Sequence, residues 1–173
     1  MVSIDASRHK LREAQFFLAH LARVAKQTFP ANAEEFHFYL SAFLSAARSV
    51  TFVLQFEEAA TYKSWFSQWQ TNQTTEDRDL LQRFNDQRVN VVHHAGADTS
   101  ESTEFVPIAE VQIGGPGQPV YAFFWPGVPG TPPPQVARRL YTIRLSNSES
   151  EVIVACRRYL GLLEKLVEEF GAS

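Results

Sequence analysis

The stretch EFHFYLSAFLSAARSVTFVLQF, residues 35–56, decides the fold. Its apolar side chains recur at alternating intervals of four and three residues, which places them along one side of an α-helix. We expect this helix to run from about Asn32 to Phe56, and the small residues of 41–49 to let a neighbouring helix approach closely. The apolar side consists of Phe36, Leu40, Phe43, Ala47, Val50 and Leu54.

The same alternation predicts three other long helices. The first runs from about Ser7 to Phe29 and ends before Pro30, because a residue that precedes proline is disfavoured in helical geometry. Another begins near Thr74 and continues to about residue 96, and the last covers 148–170. A shorter aromatic piece, residues 61–70, is expected to form one or two helical turns over one end of the bundle.

Polar residues and glycine indicate where these helices begin and end. Thr75 and Asp77 offer capping oxygens for the third long helix, and Gly96 suits its C-cap. Ser148 is the expected N-cap of the last helix, because Glu151 lies three residues further on and the two residues match a capping box.

Residues 97–146 differ in kind, because eight of the nine prolines lie between Pro107 and Pro134 and exclude a long helix there. Two strands, 103–113 and 118–126, are expected around a Gly-rich turn, with a third strand at 138–145. The predicted fold is mainly α, an up-down four-helix bundle (7–96 and 148–170) with a small antiparallel β-meander inserted at about 97–146. We expect one domain over residues 1–173.

Composition narrows the classes of protein. The net charge of −3 gives no overall positive field toward nucleic acid or anionic membrane, so any such contact would be local. The lone cysteine, Cys156, cannot form an intrachain disulfide and is expected in the core, which favours a reducing compartment. Because no apolar stretch reaches about 18 residues, we expect no membrane association and a cytoplasmic location.

The segment RVNVVHHAG, residues 88–96, carries the chemistry. On an ideal helix Arg88 and His93 lie about 7.5 Å apart along the axis and about 140° apart around it. They can meet where the last turn loosens, which Gly96 favours. In the alternative interpretation Arg88 pairs with a carboxylate and the histidines interact with the helix dipole.

An Arg followed after four to six residues by a His, late in the third helix of a four-helix bundle, resembles the signature of HEPN domains. Here Arg88 is followed by His93 after four residues and by His94 after five. The resemblance implies a metal-independent ribonuclease, without cofactor, whose two motifs face each other across the two-fold axis of a homodimer. RNA supplies its own nucleophile, so the protein has only to transfer protons and stabilise charge.

By position, Arg88 would hold the phosphate and His93 would transfer the proton, with His94 replacing or assisting it. Active members commonly carry a polar residue directly after the Arg. Here Val89 takes that position and Asn90 follows it. Other HEPN domains are non-catalytic dimerisation or interaction modules. The alternative prediction is therefore a module that binds an antitoxin or a nucleotidyltransferase, with the strand insertion contacting the partner.

Three further sets of residues have a functional interpretation and a plainer structural one. His20 and His37 lie on separate helices and offer no spacing for a metal, so ordinary surface or half-buried histidines are favoured. The aromatic side chains of 121–127 suit stacking on bases, but packing of the sheet onto the bundle or onto a second subunit is favoured. Five arginines of the third strand and the last helix suit a basic strip that binds RNA, but a solvated face is favoured. They are Arg138, Arg139, Arg144, Arg157 and Arg158.

Overall fold

A computed structural model describes residues 4–27, 32–93, 97–107, 112–113, 121–122, 130–145 and 148–173. The described part is mainly helical, with a small antiparallel sheet, as the sequence predicts. It contains five helices, one more than the four long helices predicted. They are α1 (Asp5–Ala25), α2 (Ala33–Glu57), α3 (Ala59–Thr71), α4 (Thr75–His93) and α5 (Val152–Gly171).

The first two helices form the most extensive helix pair. The Ser7 hydroxyl donates to the Val50 carbonyl (3.3 Å), and the His20 ring stacks on Tyr39 with centroids 5.2 Å apart. These contacts join the start of α1 to the end of α2 and the end of α1 to the start of α2, so the two helices are antiparallel. The small residues Ala46 and Ala47 are buried, in keeping with the predicted close approach.

Helix α1 ends at Ala25, earlier than the predicted Phe29. The amides of Lys26 and Gln27 donate to the carbonyls of Arg23 and Val24, three residues back, at 3.3 and 3.0 Å. Such bonds tighten the last turn of a helix and end it before any proline is reached. Pro30 itself lies outside the described residues. Helix α2 then begins at Asn32, whose side chain accepts from the amides of Glu34 and Glu35.

The segment 61–70 forms a full helix, α3, rather than the one or two turns expected. Aromatic contacts with the end of α5 explain its length. The Tyr62 and Trp65 rings meet the Phe170 ring edge-on, with centroids 5.6 and 4.9 Å away, and the Trp69 indole N–H donates to Glu169 at 2.7 Å. Tertiary packing of this kind stabilises short helices that are marginal alone. The segment therefore covers one end of the helical assembly, as predicted.

Thr74, not Thr75, caps α4. The Asp77 amide donates to the Thr74 hydroxyl oxygen (3.1 Å), and that hydroxyl donates to the Asp77 carboxylate (2.9 Å). The expected capping role of Asp77 is thus confirmed only as the reciprocal partner of Thr74. The same carboxylate accepts from Arg158 of α5 at 2.7 Å, which connects the start of α4 to α5. The predicted C-cap, Gly96, lies outside the described residues.

The sheet departs from the predicted meander. Strands β1 (Ser100–Pro107), β4 (Gln135–Arg144) and β5 (Glu149–Glu151) form an antiparallel sheet in the order β1-β4-β5. The two-residue strands β2 (Gln112–Ile113) and β3 (Tyr121–Ala122) pair separately. The predicted strand 103–113 is therefore divided, since Pro107 has no N–H with which to continue the β1 ladder. The strand before the Gly-rich turn and the strand after it do pair, as expected.

The predicted capping box of the last helix is wrong. The Ser148 carbonyl accepts from the Leu145 amide (2.8 Å). Residues 149–151 pair with β4, and the Glu149 carboxylate accepts from the Thr142 hydroxyl. Glu151 precedes α5 without any side-chain cap hydrogen bond. Pairing with β4 therefore takes the place of a first helical turn at residues 149–151.

The core is formed by all five helices together with Tyr141 and Ile143 of β4. The Tyr141 ring stacks on Phe36 of α2 with centroids 3.5 Å apart, which attaches the sheet to the helices. Cys156 is fully buried on α5, as expected. No helix in the described part of the chain is both long and apolar enough to cross a membrane.

Thr74→Ala should lower the free energy of unfolding by about 1 kcal/mol, the usual cost of losing an N-cap hydroxyl. Thr75→Ala removes an equal hydroxyl whose contact is with the Arg78 side chain, and should cost clearly less. Urea denaturation of both variants measures the difference. Equal losses would contradict the assignment of Thr74 as the cap.

Gly161→Ala should stabilise the protein by about 1 kcal/mol, because alanine is the better helix former. Gly161 lies on the exposed side of α5, and a methyl group there would meet no atom within 4 Å. Thermal unfolding should show a rise of about 2–4 °C in Tm. A fall in Tm would contradict the open space around this position.

Candidate functional site

Arg88 lies in the second half of α4, with its side chain partly exposed. Its guanidinium carbon sits 5.3 Å from the centroid of the Phe52 ring of α2, a distance suited to a cation–π contact. No carboxylate in the described part of the chain forms an ion pair with it. The alternative prediction, in which Arg88 pairs with a carboxylate, therefore has no support among these residues, and the charge is available to a ligand.

A second arginine, Arg48 of α2, shares the same ring. Its guanidinium carbon lies 4.3 Å from the Phe52 centroid, so the two guanidinium carbons are within about 10 Å of each other. The Phe52 ring is 42% exposed and can also be reached from solvent. We call Arg48, Phe52 and Arg88 the arginine cluster. Two like charges on one aromatic ring favour the arrival of an anion.

The other predicted site residues are located less fully. His93 is the last residue of α4, and Asn90 lies one turn before the end. Because the helix continues to His93 without loosening earlier, ideal geometry leaves the backbones of Arg88 and His93 about 140° apart around the axis. His94 lies outside the described residues. The role of these three residues stays a prediction.

A cleft of about 250 Å³ opens beside the arginine cluster and is lined by four helices, α2 to α5. Its polar lining comes from all four helices and consists of Arg48, Thr51, Gln70, Gln82, Asn85 and Tyr159. Arg88 is not among the lining residues. Burial raises the pKa of Tyr159 to about 12, with Arg48 acting in the opposite direction, so its hydroxyl stays protonated at neutral pH.

Arg48 was not among the residues that the sequence singled out. A signal was nevertheless present in the sequence. Arg48 is the one charged residue of 41–50, a run of otherwise small and apolar side chains, and charged residues are seldom found in such surroundings. The Arg48 Nε is buried and has no hydrogen-bond partner, while its Nη1 donates to the Thr51 hydroxyl. An unpaired buried donor is uncommon in a folded protein, which distinguishes Arg48 from the arginines that pair with carboxylates.

The predicted basic strip is largely neutralised. Arg138 pairs with Glu104 (2.9 Å), Arg139 with Glu101 (3.2 Å) and Arg158 with Asp77 (2.7 Å). These pairs favour the plainer interpretation of a solvated, charge-balanced face. Of the stretch 121–127, only Tyr121 and Ala122 lie within the described residues, so the base-stacking prediction stays untested.

His20 and His37, the histidines weighed as metal ligands, contact other side chains of the protein. His20 stacks on Tyr39, and its Nδ1 accepts from the Arg23 guanidinium at 3.2 Å, while His37 lies 3.1 Å from the Glu101 carboxylate. Within the described ranges, no group of three or more histidine, cysteine, aspartate or glutamate side chains is arranged to hold a metal ion.

The chain matches no protein-family model, and no curated protein and no solved structure is similar to it at a significant level. The likeness to HEPN domains therefore rests on the Arg–His spacing and its place in the helical assembly alone.

The raised pKa of Tyr159 predicts a loss of stability in alkali. An unfolded tyrosine ionises near pH 10, whereas the folded protein holds this proton to about pH 12. Between these values the unfolded state binds fewer protons, so the free energy of unfolding falls as pH rises. Tyr159→Phe cannot ionise and should lose less stability between about pH 8 and about pH 11. Urea titrations at both pH values test this, and an unchanged pH dependence would contradict it.

Proposed function

We propose that this protein is a HEPN-like, metal-independent endoribonuclease that acts as a homodimer. In this proposal α1, α2, α4 and α5 correspond to the four helices of the HEPN bundle, and α3 and the sheet are additions to it. The observation that carries the proposal is the state of Arg88: partly exposed, held against Phe52, and paired with no described carboxylate.

The charge of Arg88 suits a phosphate. Arginines elsewhere in the described structure, such as Arg83, Arg138 and Arg158, are engaged by carboxylates. A guanidinium that has no such partner can donate two parallel hydrogen bonds to phosphate oxygens and stabilise the charge that builds up in the transition state. The half-exposed Phe52 ring beside it can stack on a base, as aromatic side chains do in single-stranded RNA binding.

His93 supplies the proton transfer in this proposal. An imidazole that titrates near neutral pH can take the proton of the RNA 2′-hydroxyl and return one to the leaving oxygen. His94 would assist or replace it, and Asn90 would supply the polar contact expected near the Arg. Within one chain, Arg88 and His93 start from different sides of α4. A homodimer relieves this constraint, because residues of two copies of the motif can then complete one site.

The ribonuclease assay compares wild type with Arg88→Ala and His93→Ala on mixed RNA in EDTA. Each variant should lose about a hundredfold or more of the cleavage rate, as expected for a charge-stabilising or proton-transfer group. Arg78→Ala removes a partly exposed arginine of the same helix whose guanidinium donates to the Thr75 hydroxyl, and this variant should cleave normally. Circular dichroism confirms that each variant is folded.

Two outcomes would overturn the ribonuclease proposal. The first is a folded wild-type protein that cleaves no RNA. The second is cleavage that survives in both Arg88→Ala and His93→Ala. A wild-type protein that is monomeric by sedimentation analysis would contradict the homodimer.

A non-catalytic interaction module is the second candidate, and exposed aromatic side chains favour it. Phe38 and Phe56 on α2 are 68% and 89% exposed, and Phe105 on β1 is 64% exposed. Apolar rings left in solvent are typical of surfaces that bind another protein. Phe105 places one of them on the strand insertion, where a partner such as an antitoxin or a nucleotidyltransferase would bind. The module would be supported if the wild-type protein cleaves no RNA and if a protein that co-purifies with it no longer co-purifies with Phe105→Ser.

A further inference from the structure

We propose that the cleft between α2, α3, α4 and α5 binds a small molecule that carries an oxyanion group on an apolar body, with Arg48 holding the oxyanion. This inference is independent of RNA cleavage, since Arg88 does not line the cleft. Its volume of about 250 Å³ lies just under the range of typical ligand pockets, and it is too small to admit a folded polymer.

Arg48 supplies the anion contact. Its positive charge has no ion-pair partner among the described carboxylates, and its Nε is buried without a hydrogen-bond partner. Thr51 accepts from Nη1 and Phe52 covers the guanidinium, so the group is held in one orientation. Carboxylates and phosphates both match the fork of a guanidinium through two parallel hydrogen bonds. Because Arg48 lines the cleft, an oxyanion there would pair with a guanidinium charge that no described carboxylate neutralises.

The other residues that line the cleft determine which polar and apolar groups the ligand carries. Gln70 and Asn85 present amides, and the neutral Tyr159 hydroxyl is able to donate a hydrogen bond. Phe66, Leu81 and Leu163 form apolar walls between these polar groups. A few placed polar groups among apolar walls is the usual make-up of a small-molecule site. The ligand class is therefore an aromatic or aliphatic organic acid or phosphate ester, and a bare inorganic anion fits less well.

The binding experiment uses phenyl phosphate and phenylacetate as the two oxyanion probes, with benzyl alcohol as the neutral probe and inorganic phosphate as the bare anion. Isothermal titration and ligand-observed NMR measure binding to the full chain. We expect at least one of the two aromatic anions to bind at millimolar concentration or below, more tightly than benzyl alcohol or inorganic phosphate. Which of the two binds more tightly distinguishes a phosphate ester from a carboxylate ligand.

Three variants locate the binding. Arg48→Gln should weaken it about tenfold to a hundredfold, the worth of hydrogen bonds to a charged group. Gln70→Trp fills the cleft from α3 while Arg48 itself is retained, and should also weaken binding at least about tenfold, which covers the case that Arg48→Gln does not fold. Arg157→Gln removes the same charge from an exposed position on α5 and should leave binding unchanged.

The proposal is overturned if neither aromatic anion binds the folded wild type at millimolar concentration. It is also overturned if Gln70→Trp binds as the wild type does, or if Arg157→Gln weakens binding as much as Arg48→Gln, because the anion would then respond to net charge alone. None of these outcomes depends on whether the protein cleaves RNA.

Discussion

Burial of α5 is the constraint on which the rest of the structure depends. This helix contacts α1, α2, α4 and both β4 and β5, and its last turn receives the aromatic rings of α3. Each fully buried Leu or Phe contributes roughly 1.5–3 kcal/mol, so a helix buried along one whole side outweighs any single cap or ion pair in the protein. Its buried residues are Val152, Ile153, Ala155, Cys156, Tyr159, Leu160, Leu162, Leu163, Leu166, Val167 and Phe170.

The helices were predictable from the sequence because their apolar stripes are periodic, whereas their ends depend on contacts that periodicity does not report. Leu11, Leu18 and Leu21 of α1 are buried as the stripe predicts, but near the end of the helix Val24 is buried more fully than Ala25. Helix α5 begins later than the capping signal at Ser148 predicts, because residues 149–151 gain ladder hydrogen bonds from β4, which capping rules do not consider. Likewise β1 and β4 pair although they are distant in the sequence. Local signals predict elements, and long-range pairing decides which of them meet.

The candidate site was also predictable from the sequence only in part. Arg88 was found from the spacing of a motif, which is a property of the sequence alone. Its neighbours Phe52 and Arg48 were not found, because only the packing of α2 against α4 brings them near. Arg48 did carry a local signal, a charge within a run of small and apolar residues, yet such a residue is most often explained by a side chain that extends along the surface to water. The sequence could not show that its Nε is buried and unpaired.

The contrast among the arginines is what ties the fold to function. A folded protein gains little from an exposed ion pair, but leaving a guanidinium donor buried and unpaired costs free energy that a ligand can return. Arg83, Arg138 and Arg158 bind carboxylates of their own chain, which uses up their charge in holding helices and strands together. Arg48 and Arg88 meet an aromatic ring instead, and no described carboxylate neutralises either charge. With a net charge of −3, the protein offers no general attraction to anions. An anion that binds it must therefore be drawn by a local arrangement, and the arginine cluster with its adjoining cleft is where the described structure concentrates unpaired positive charge.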